Sequence, residues 1–320
     1  MGSLIENLIQ AIYFGEFYLP LLIMFLGIPG NILSFLVMVQ KQNRNKSTGV
    51  YMAGLAIFDF LVLIISLFLY WLFFNFFQNT DFQWACSVFR FLVQFLTQVS
   101  TYYIVARTFD RFLSICFPLK TRNFSTSSVA LKIITLIPVL LFFINMHGFW
   151  TYKLLDVAGL NQKKCVFVSS SSEAVIFMFW ELTLTTLFPF LTLIILNIGI
   201  IIRLHQKQDG VGETVDQNKR NAVQNQITRS LLLVSFMFLV LNMPYRADDL
   251  IWRYVAYENL STLFYIRRVS YVYLHKVWYC HNAVNFYLYV LSGKKFRNEV
   301  KSLFKSDKKR LDYTKTSNVK

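Results

Sequence analysis

The fold is decided by the stretch from Cys86 to Lys120, which reads CSVFRFLVQFLTQVSTYYIVARTFDRFLSICFPLK. It is mostly apolar and contains no proline before Pro118. Arg111 follows Cys86 by 25 residues, or roughly 37 Å of α-helix. Because the hydrocarbon core of a bilayer is about 30 Å thick, a helix here places Cys86 at one membrane face and Arg111 at the other. An arginine beside an acid at the end of a span either faces a partner or is an ordinary interfacial charge.

Composition indicates that the whole chain is a membrane protein. Hydrophobic residues make up 55% of the 320 residues, and the mean hydropathy is +0.46, which is too apolar for an ordinary soluble domain. The net charge is +15, and the basic residues that produce it lie between apolar runs rather than in one basic domain. This distribution favours a membrane surface over nucleic acid as the partner. The four cysteines form no CxxC motif and no cluster with histidine, so we expect no zinc site and no cofactor.

Seven apolar segments are long enough to cross a bilayer. The first, second, third and fifth are clear from hydropathy, whereas the sixth and seventh carry several polar residues. The pattern predicts an all-α membrane protein, a seven-transmembrane helix bundle over residues 17–291. The segments are residues 17–40, 50–75, 87–113, 129–151, 173–203, 227–253 and 268–291.

Lysine and arginine predict how the chain is oriented. They crowd the loops after the first, third and fifth segments and the tail after Gly293, which we therefore expect in the cytoplasm. The mixed charges of residues 152–172 are weak counter-evidence. Residues 1–16 would form a short extracellular N-terminus without a cleavable signal peptide, and the protein would be multi-pass in the plasma membrane. Residues 292–320 would hold a short amphipathic cytoplasmic helix and a basic tail, because Phe296, Val300 and Phe304 share one helical face. A plain basic flank is the alternative.

Polar residues inside the segments are the first candidates for function, since burying them in lipid is costly. Asp59 lies near the middle of the second segment, and a carboxylate at that depth needs partners. Together the polar residues could hold a hydrated cation, with sodium at Asp59, or a water network; otherwise each serves only its own packing. The candidates are Asn31, Asp59, Ser100, Asn282 and Asn285.

The order and spacing of these residues resemble the rhodopsin-like (class A) G-protein-coupled receptors over almost the whole chain, from Asn31 to Phe304. The resemblance implies a receptor that transmits an extracellular signal to a heterotrimeric G protein, and a disulfide between Cys86 and Cys165 in the oxidising exterior. It is carried by Gly30-Asn31, LAIFD ending at Asp59, Cys86, Asp110-Arg111-Phe112, Pro189, FLVLNMP from Phe238 to Pro244, and NFYLY from Asn285 to Tyr289.

The chain departs from the family pattern in the parts that couple to the G protein. The NFYLY motif lacks the usual proline, Asn242 replaces the sixth-span tryptophan, and Gln224 replaces the acid that would lock the third-span arginine. We therefore expect Asp110 to be the main charged partner of Arg111, with weak support from Gln224. The resemblance gives the coupling role to Asp110, Arg111, Phe112, Phe238, Asn242, Pro244, Asn285 and Tyr289.

The resemblance also limits the ligand. Val93 stands where amine receptors carry an acid, and Tyr279 stands where opsins carry a lysine, so neither an amine nor retinal is expected. Lys276, one turn away, would be a surface or pocket charge. The outer ends of the sixth and seventh segments are polar and aromatic, and such a mouth suits a peptide ligand. The FLVLNMP segment resembles invertebrate receptors of the FMRFamide and myosuppressin type, and Glu173 would suit a basic peptide. The alternative is that the mouth is only a belt of charged and aromatic side chains at the membrane interface. The pocket candidates are Gln94, Gln98, Glu181, Tyr245, Asp248, Asp249, Trp252 and Tyr279.

Two other functional classes are weighed against a receptor. A transporter or channel would line a continuous path with acids or broken helices, and only Asp59 lies deep in a segment. An enzyme is not expected, because no HExxH or GxSxG motif stands on a segment.

Overall fold

The structure is a computed structural model of the full chain, and it describes residues 2–76, 83–121, 124–156, 163–167, 179–208, 215–254 and 262–304. Seven long helical spans, here α1 to α7, dominate these residues. They are α1 Gly2–Met38; α2 Ser47–Leu61, continued by a π-helical stretch Val62–Phe68 and by Leu69–Phe76; α3 Gln83–Cys116; α4 Ser127–Asn145; α5 Phe188–Gln208, preceded by a π-helical stretch Thr183–Leu187; α6 Val215–Tyr254; and α7 Thr262–Ser292.

Short elements occupy the connections between the spans. Strands β1 (Tyr152–Asp156) and β2 (Lys163–Phe167) form an antiparallel hairpin after α4, with Leu154 opposite Cys165. The predicted Cys86–Cys165 disulfide is present and ties this hairpin to the start of α3. Helical turns lie at Lys41–Arg44, Pro118–Thr121 and Gly148–Thr151.

The all-α prediction is confirmed, but α1 begins at Gly2 rather than near residue 17. The N-terminal residues are helical because α7 supports them. The Tyr273 hydroxyl donates to the Ala11 carbonyl, at 3.3 Å. Gly15 packs so closely on α7 that an added Cβ would lie 2.6 Å from Val272 Cγ1. Further along the same contact, a Cβ on Gly27 would lie 2.7 Å from Ala283 Cβ, so α1 and α7 meet through small residues.

Hydropathy alone does not mark all seven spans. Among the described residues, five helices are long and apolar enough to cross a membrane, and α3 and α7 are not among them. We predicted that the third segment would be clear, and on this measure it is not. The reason is physical: α3 buries eight polar or charged residues and α7 four, and these residues lower the mean hydropathy of both helices.

The described residues past Gly293 continue as a helix from residue 294 to residue 304. Phe296 is buried under the bundle, 5.5 Å from the Tyr289 ring centroid, and Val300 packs on the same cluster. Phe304 is exposed. The Asn43 amide donates to Glu299 at 3.0 Å, which fixes the short helix against the turn after α1. This placement agrees with the amphipathic pattern of the segment.

Candidate functional site

The polar core of the bundle is built around Asp59, which is completely buried in α2. Its Oδ1 accepts from the Ser100 hydroxyl at 2.5 Å and from the Asn282 amide at 2.8 Å. Its Oδ2 accepts from the Asn285 amide at 2.6 Å. Asn31 joins this polar core by donating to the Asn282 carbonyl at 2.8 Å. The five residues proposed as a cluster are therefore brought together, and they link α1, α2, α3 and α7.

We tested whether this polar core fits the sodium ion expected at Asp59. A hard cation requires oxygen ligands, but three hydrogen-bond donors already point at the two carboxylate oxygens, and two of them are amide N–H groups. The Asn282 Oδ1 is the remaining buried core oxygen without a partner among the described residues. No group of three His, Cys, Asp or Glu side chains in the described ranges could hold a metal ion. Three donors occupy most of the roughly four lone-pair sites of the carboxylate, so the arrangement fits a hydrogen-bonded carboxylate better than the oxygen-rich shell of a sodium site.

Sequence reasoning missed a second buried arginine, Arg107, one turn before Arg111 on α3. Its Nη1 donates to the Tyr289 hydroxyl at 2.5 Å, and its guanidinium lies 5.9 Å from the Tyr289 ring centroid. Its Nε and Nη2 have no partner among the described residues, although the side chain is 0% exposed. The signal was present in the sequence, because an arginine within the apolar run YYIVAR lies inside the span rather than at its end.

Asp110 and Arg111, at the cytoplasmic end of α3, bind different neighbours. The Asp110 carboxylate accepts from the hydroxyls of Ser47 at 2.9 Å and Ser125 at 2.8 Å. The Arg111 Nε and Nη2 donate to Thr228 Oγ1 on α6, at 3.0 and 2.8 Å. The side chain of Gln224 lies outside the described residues.

The remaining expected coupling residues lie on α3 and α6. Phe112 packs on α5, where a Cβ on Gly199 would lie 2.5 Å from its ring. Phe238 is buried edge-on against the rings of Phe190 and His281. The Asn242 side-chain amide donates a hydrogen bond to the Phe238 carbonyl of its own helix, at 2.6 Å. Pro244 lies inside α6.

At the outer end, the pocket candidates fall into two groups. Gln94 and Glu181 line one cavity with Arg90 and His147, so both signs of charge face it. Gln98 lies beside it, since its Oε1 accepts from Asn145, another residue of the lining, at 2.7 Å.

The second group is an aromatic cluster on α6 and α7. Its centre is His275, which sequence reasoning missed, with ring centroids 5.1 Å from Tyr245, 5.0 Å from Tyr279 and 5.5 Å from Trp278. Asp248 and Asp249 are half-buried on α6. The side chain of Trp252, and Glu173, lie outside the described residues.

A charged cluster joins α1 to α7 near the aromatic group. The Lys276 Nζ lies 2.7 Å from Glu16 Oε2, and the Arg268 Nη2 lies 3.3 Å from Glu16 Oε1. Lys276 and Glu16 are 1% and 2% exposed, whereas the Arg268 side chain is 34% exposed. Of the two alternatives given for Lys276, a surface charge is therefore wrong, and a pocket charge stays a prediction. We call these three residues the charge clasp.

Comparison with known proteins agrees with this geometry. Residues 30–289 match the family model described as "7 transmembrane receptor (rhodopsin family)". A neuromedin U receptor homologue of Caenorhabditis elegans is 23% identical over 313 residues, covering 86% of this chain and 75% of that protein. A galanin receptor 2a of Danio rerio is 22% identical over 304 residues, covering 94% and 79%. A thyrotropin-releasing hormone receptor of Gallus gallus is 26% identical over 339 residues, covering 92% and 81%.

Proposed function

Because this chain belongs to the rhodopsin family of seven-transmembrane receptors, we propose that it binds an extracellular peptide and activates a heterotrimeric G protein at the plasma membrane. It is a multi-pass G-protein-coupled receptor of the peptide class, and neither a transporter nor an enzyme. We propose three features in particular: a peptide as the ligand, a contact with the G protein, and an N-terminus on the extracellular side. The FMRFamide and myosuppressin type has no specific support among the named relatives.

The peptide proposal rests on the outer cavity. A peptide carries amide groups along its backbone and charges at its ends and side chains. Gln94 supplies an amide, Arg90 a positive charge and Glu181 a negative charge around one space. The relatives named above, receptors for neuromedin U, galanin and thyrotropin-releasing hormone, carry the names of peptides. An exposed basic group on the peptide would meet Glu181, with Asp248 and Asp249 on the neighbouring helix α6.

The orientation proposal rests on the distribution of cysteine and basic residues. The Cys86–Cys165 disulfide lies at the end of the bundle where α3 begins, and disulfides persist in oxidising compartments. Basic side chains gather at the opposite end, after α1 and after α7. Because α1 and α3 both run from the disulfide end, the N-terminus lies on the extracellular side.

The coupling proposal rests on one observation, the bond from Arg111 of α3 to Thr228 of α6 at the cytoplasmic end. A peptide that binds the outer ends of α3, α5 and α6 better in one arrangement shifts the bundle toward it. Separation of α6 from α3 would break the bond to Thr228 and leave the Arg111 guanidinium facing the cytoplasm. The G protein would then contact that arginine.

The experiment is a screen of a peptide library against cells that express the full chain, with cAMP and calcium as readouts. We expect a response to one or a few peptides with a basic residue. Glu181→Gln removes one charge from the cavity without changing its size, so it should lower the potency of the active peptide at least tenfold while leaving surface expression unchanged. The matched control is Glu6→Gln, an exposed residue of α1 far along the chain from the cavity.

The proposal would be overturned if no peptide acts while a small non-peptide ligand does. An epitope tag at the N-terminus tests the orientation separately, since it should be accessible to antibody on intact cells.

A further inference from the structure

Arg107 is the largest side chain of the described residues that is fully buried. Its one hydrogen bond goes to the Tyr289 hydroxyl, which leaves two N–H groups of the guanidinium without a partner among those residues. Taking such a cation out of water costs several kcal/mol unless negative charge compensates for it. The position therefore requires an explanation beyond packing.

A source of negative charge lies along the same helices, in the polar core at Asp59. Ser100, which donates to Asp59, and Arg107 are seven residues apart on α3 and so lie on the same helical face, two turns apart. Side chains of a helix lean toward its N-terminus, which on α3 directs the Arg107 guanidinium toward Ser100 and Asp59.

Helix α7 completes the connection from the other side. Asn285 donates to Asp59, and Tyr289, one turn later, accepts from Arg107. The carboxylate and the guanidinium thus bind side chains one turn apart on α7, and their partners there are neutral groups. A sodium ion at Asp59 would add a second positive charge to a core in which the carboxylate oxygens already accept three hydrogen bonds.

We infer that Arg107 is a built-in counter-ion of the Asp59 core, and that this receptor therefore does not bind sodium there. The arginine supplies from within the chain the positive charge that an ion would otherwise bring. The bundle is then stable at any sodium concentration. This inference is independent of the ligand and of the G protein, so it can fail without the proposed function failing.

The test is thermal unfolding of the purified full chain in detergent, with sodium chloride compared with choline chloride at equal ionic strength and pH. A bound ion raises the stability of the folded state by mass action. The wild type should unfold at the same temperature in both salts. Arg107→Gln keeps a donor for Tyr289 but removes the charge, so it should gain a sodium-dependent rise in Tm of roughly 2–4 °C.

Two further variants locate the effect. Adding Asp59→Asn to Arg107→Gln should abolish the sodium dependence, because no carboxylate remains to attract the ion. Arg111→Gln, the same substitution one turn further along α3, should gain no sodium dependence, because that arginine binds Thr228 instead. If Arg107→Gln fails to fold, Arg107→Met takes its place in the same comparison.

Either of two results would overturn the inference. The first is a wild-type Tm that rises with sodium, since the ion would then bind beside Arg107. The second is a folded Arg107 variant, with the charge removed, that unfolds at the same temperature in both salts.

Discussion

The charge clasp and the polar core are both buried, and both join α7 to another helix, but they hold their charges differently. In the clasp, Glu16 and Lys276 are in direct ionic contact at 2.7 Å. In the core, Asp59 accepts from neutral hydroxyl and amide donors, and Arg107, two turns along α3 from Ser100, is bonded to Tyr289.

The difference indicates which contact can change during signalling. Separating a buried ion pair leaves two uncompensated charges, so the clasp should keep α1 and α7 together in every state. The donors of the core can be exchanged for other neutral partners or for water at modest cost, because net hydrogen-bond energies are small. We therefore expect the outer contact of α7 to act as a fixed pivot and the core around Asp59 to rearrange.

Breaking the clasp should have the largest effect on stability. Lys276→Met leaves Glu16 buried with only the half-exposed Arg268 as its cation, and should lower the free energy of unfolding by about 3–5 kcal/mol. Glu16→Gln combined with Lys276→Met should recover most of the loss, because neither charge then remains. Thermal unfolding in detergent measures both. Arg268→Met is the control and should cost at most about 1 kcal/mol, since that side chain reaches water; an equal loss from both would contradict the comparison.

The disulfide at the outer end should contribute nearly as much as the clasp. Replacing Cys86 and Cys165 together by serine should lower the free energy of unfolding by about 2–4 kcal/mol, because the unfolded chain gains freedom. Cys280→Ser, at a half-buried free cysteine, is the control and should have a smaller effect. Recovery of both thiols free in surface-expressed protein, by peptide mapping without reduction, would refute the pairing.

Neutralising the core should cost less stability than breaking the clasp. Asp59→Asn keeps the shape of the side chain but turns one acceptor into a donor that faces Ser100, Asn282 and Asn285, at a cost of about 1–3 kcal/mol. Surface expression should persist while the potency of the active peptide changes. Combining it with Arg107→Gln should restore part of the stability, since the buried cation is removed with its acid. A double variant less stable than the sum of the two would argue against their pairing.

Weakening the cytoplasmic contact should have the smallest effect, and one visible in signalling rather than in stability. Thr228→Ala removes the acceptor of two Arg111 N–H groups, a change of about 0.5–1.5 kcal/mol in the balance between resting and active bundles. Basal G-protein activation should rise roughly twofold to tenfold, because about 1.4 kcal/mol is tenfold in such a ratio. Ser230→Ala, at the next hydroxyl along α6, is the control and should leave basal activation unchanged. Unchanged basal activation in Thr228→Ala would exclude a restraining role for that bond.

The polar core could be predicted from the sequence, whereas the charge clasp could not. Asp59 and its partners were predicted because each is an isolated polar residue in an apolar span, and because their order resembles a known family. The charge clasp was not predicted, because Glu16 precedes the predicted first span and Lys276 lies among other charges at the start of the seventh span. Nothing in the local pattern shows that a helix reaching back to Gly2 brings the two together across 260 residues.

Arg107 and His275 were missed for a different reason. Arg107 lies one turn from Arg111, and His275 lies next to Lys276; in both cases the neighbour attracted attention first. Spacing along one helix does not show that Arg107 is fully buried or that the half-buried His275 ring stacks on Trp278, because both depend on how side chains pack in the folded bundle. Polar residues that face the core likewise lower the hydropathy of α3 and α7, which we expected for the seventh segment but not for the third.

The central claim is that Arg111 at the cytoplasmic end of α3 transmits the signal to a G protein. The most direct test is nucleotide exchange on a purified G protein, catalysed by the wild-type receptor and by Arg111→Ala with the peptide that the screen identifies, at matched receptor amounts. Arg111→Ala should bind the peptide with nearly unchanged affinity and catalyse no exchange above background. Exchange at the wild-type rate by Arg111→Ala would contradict the account.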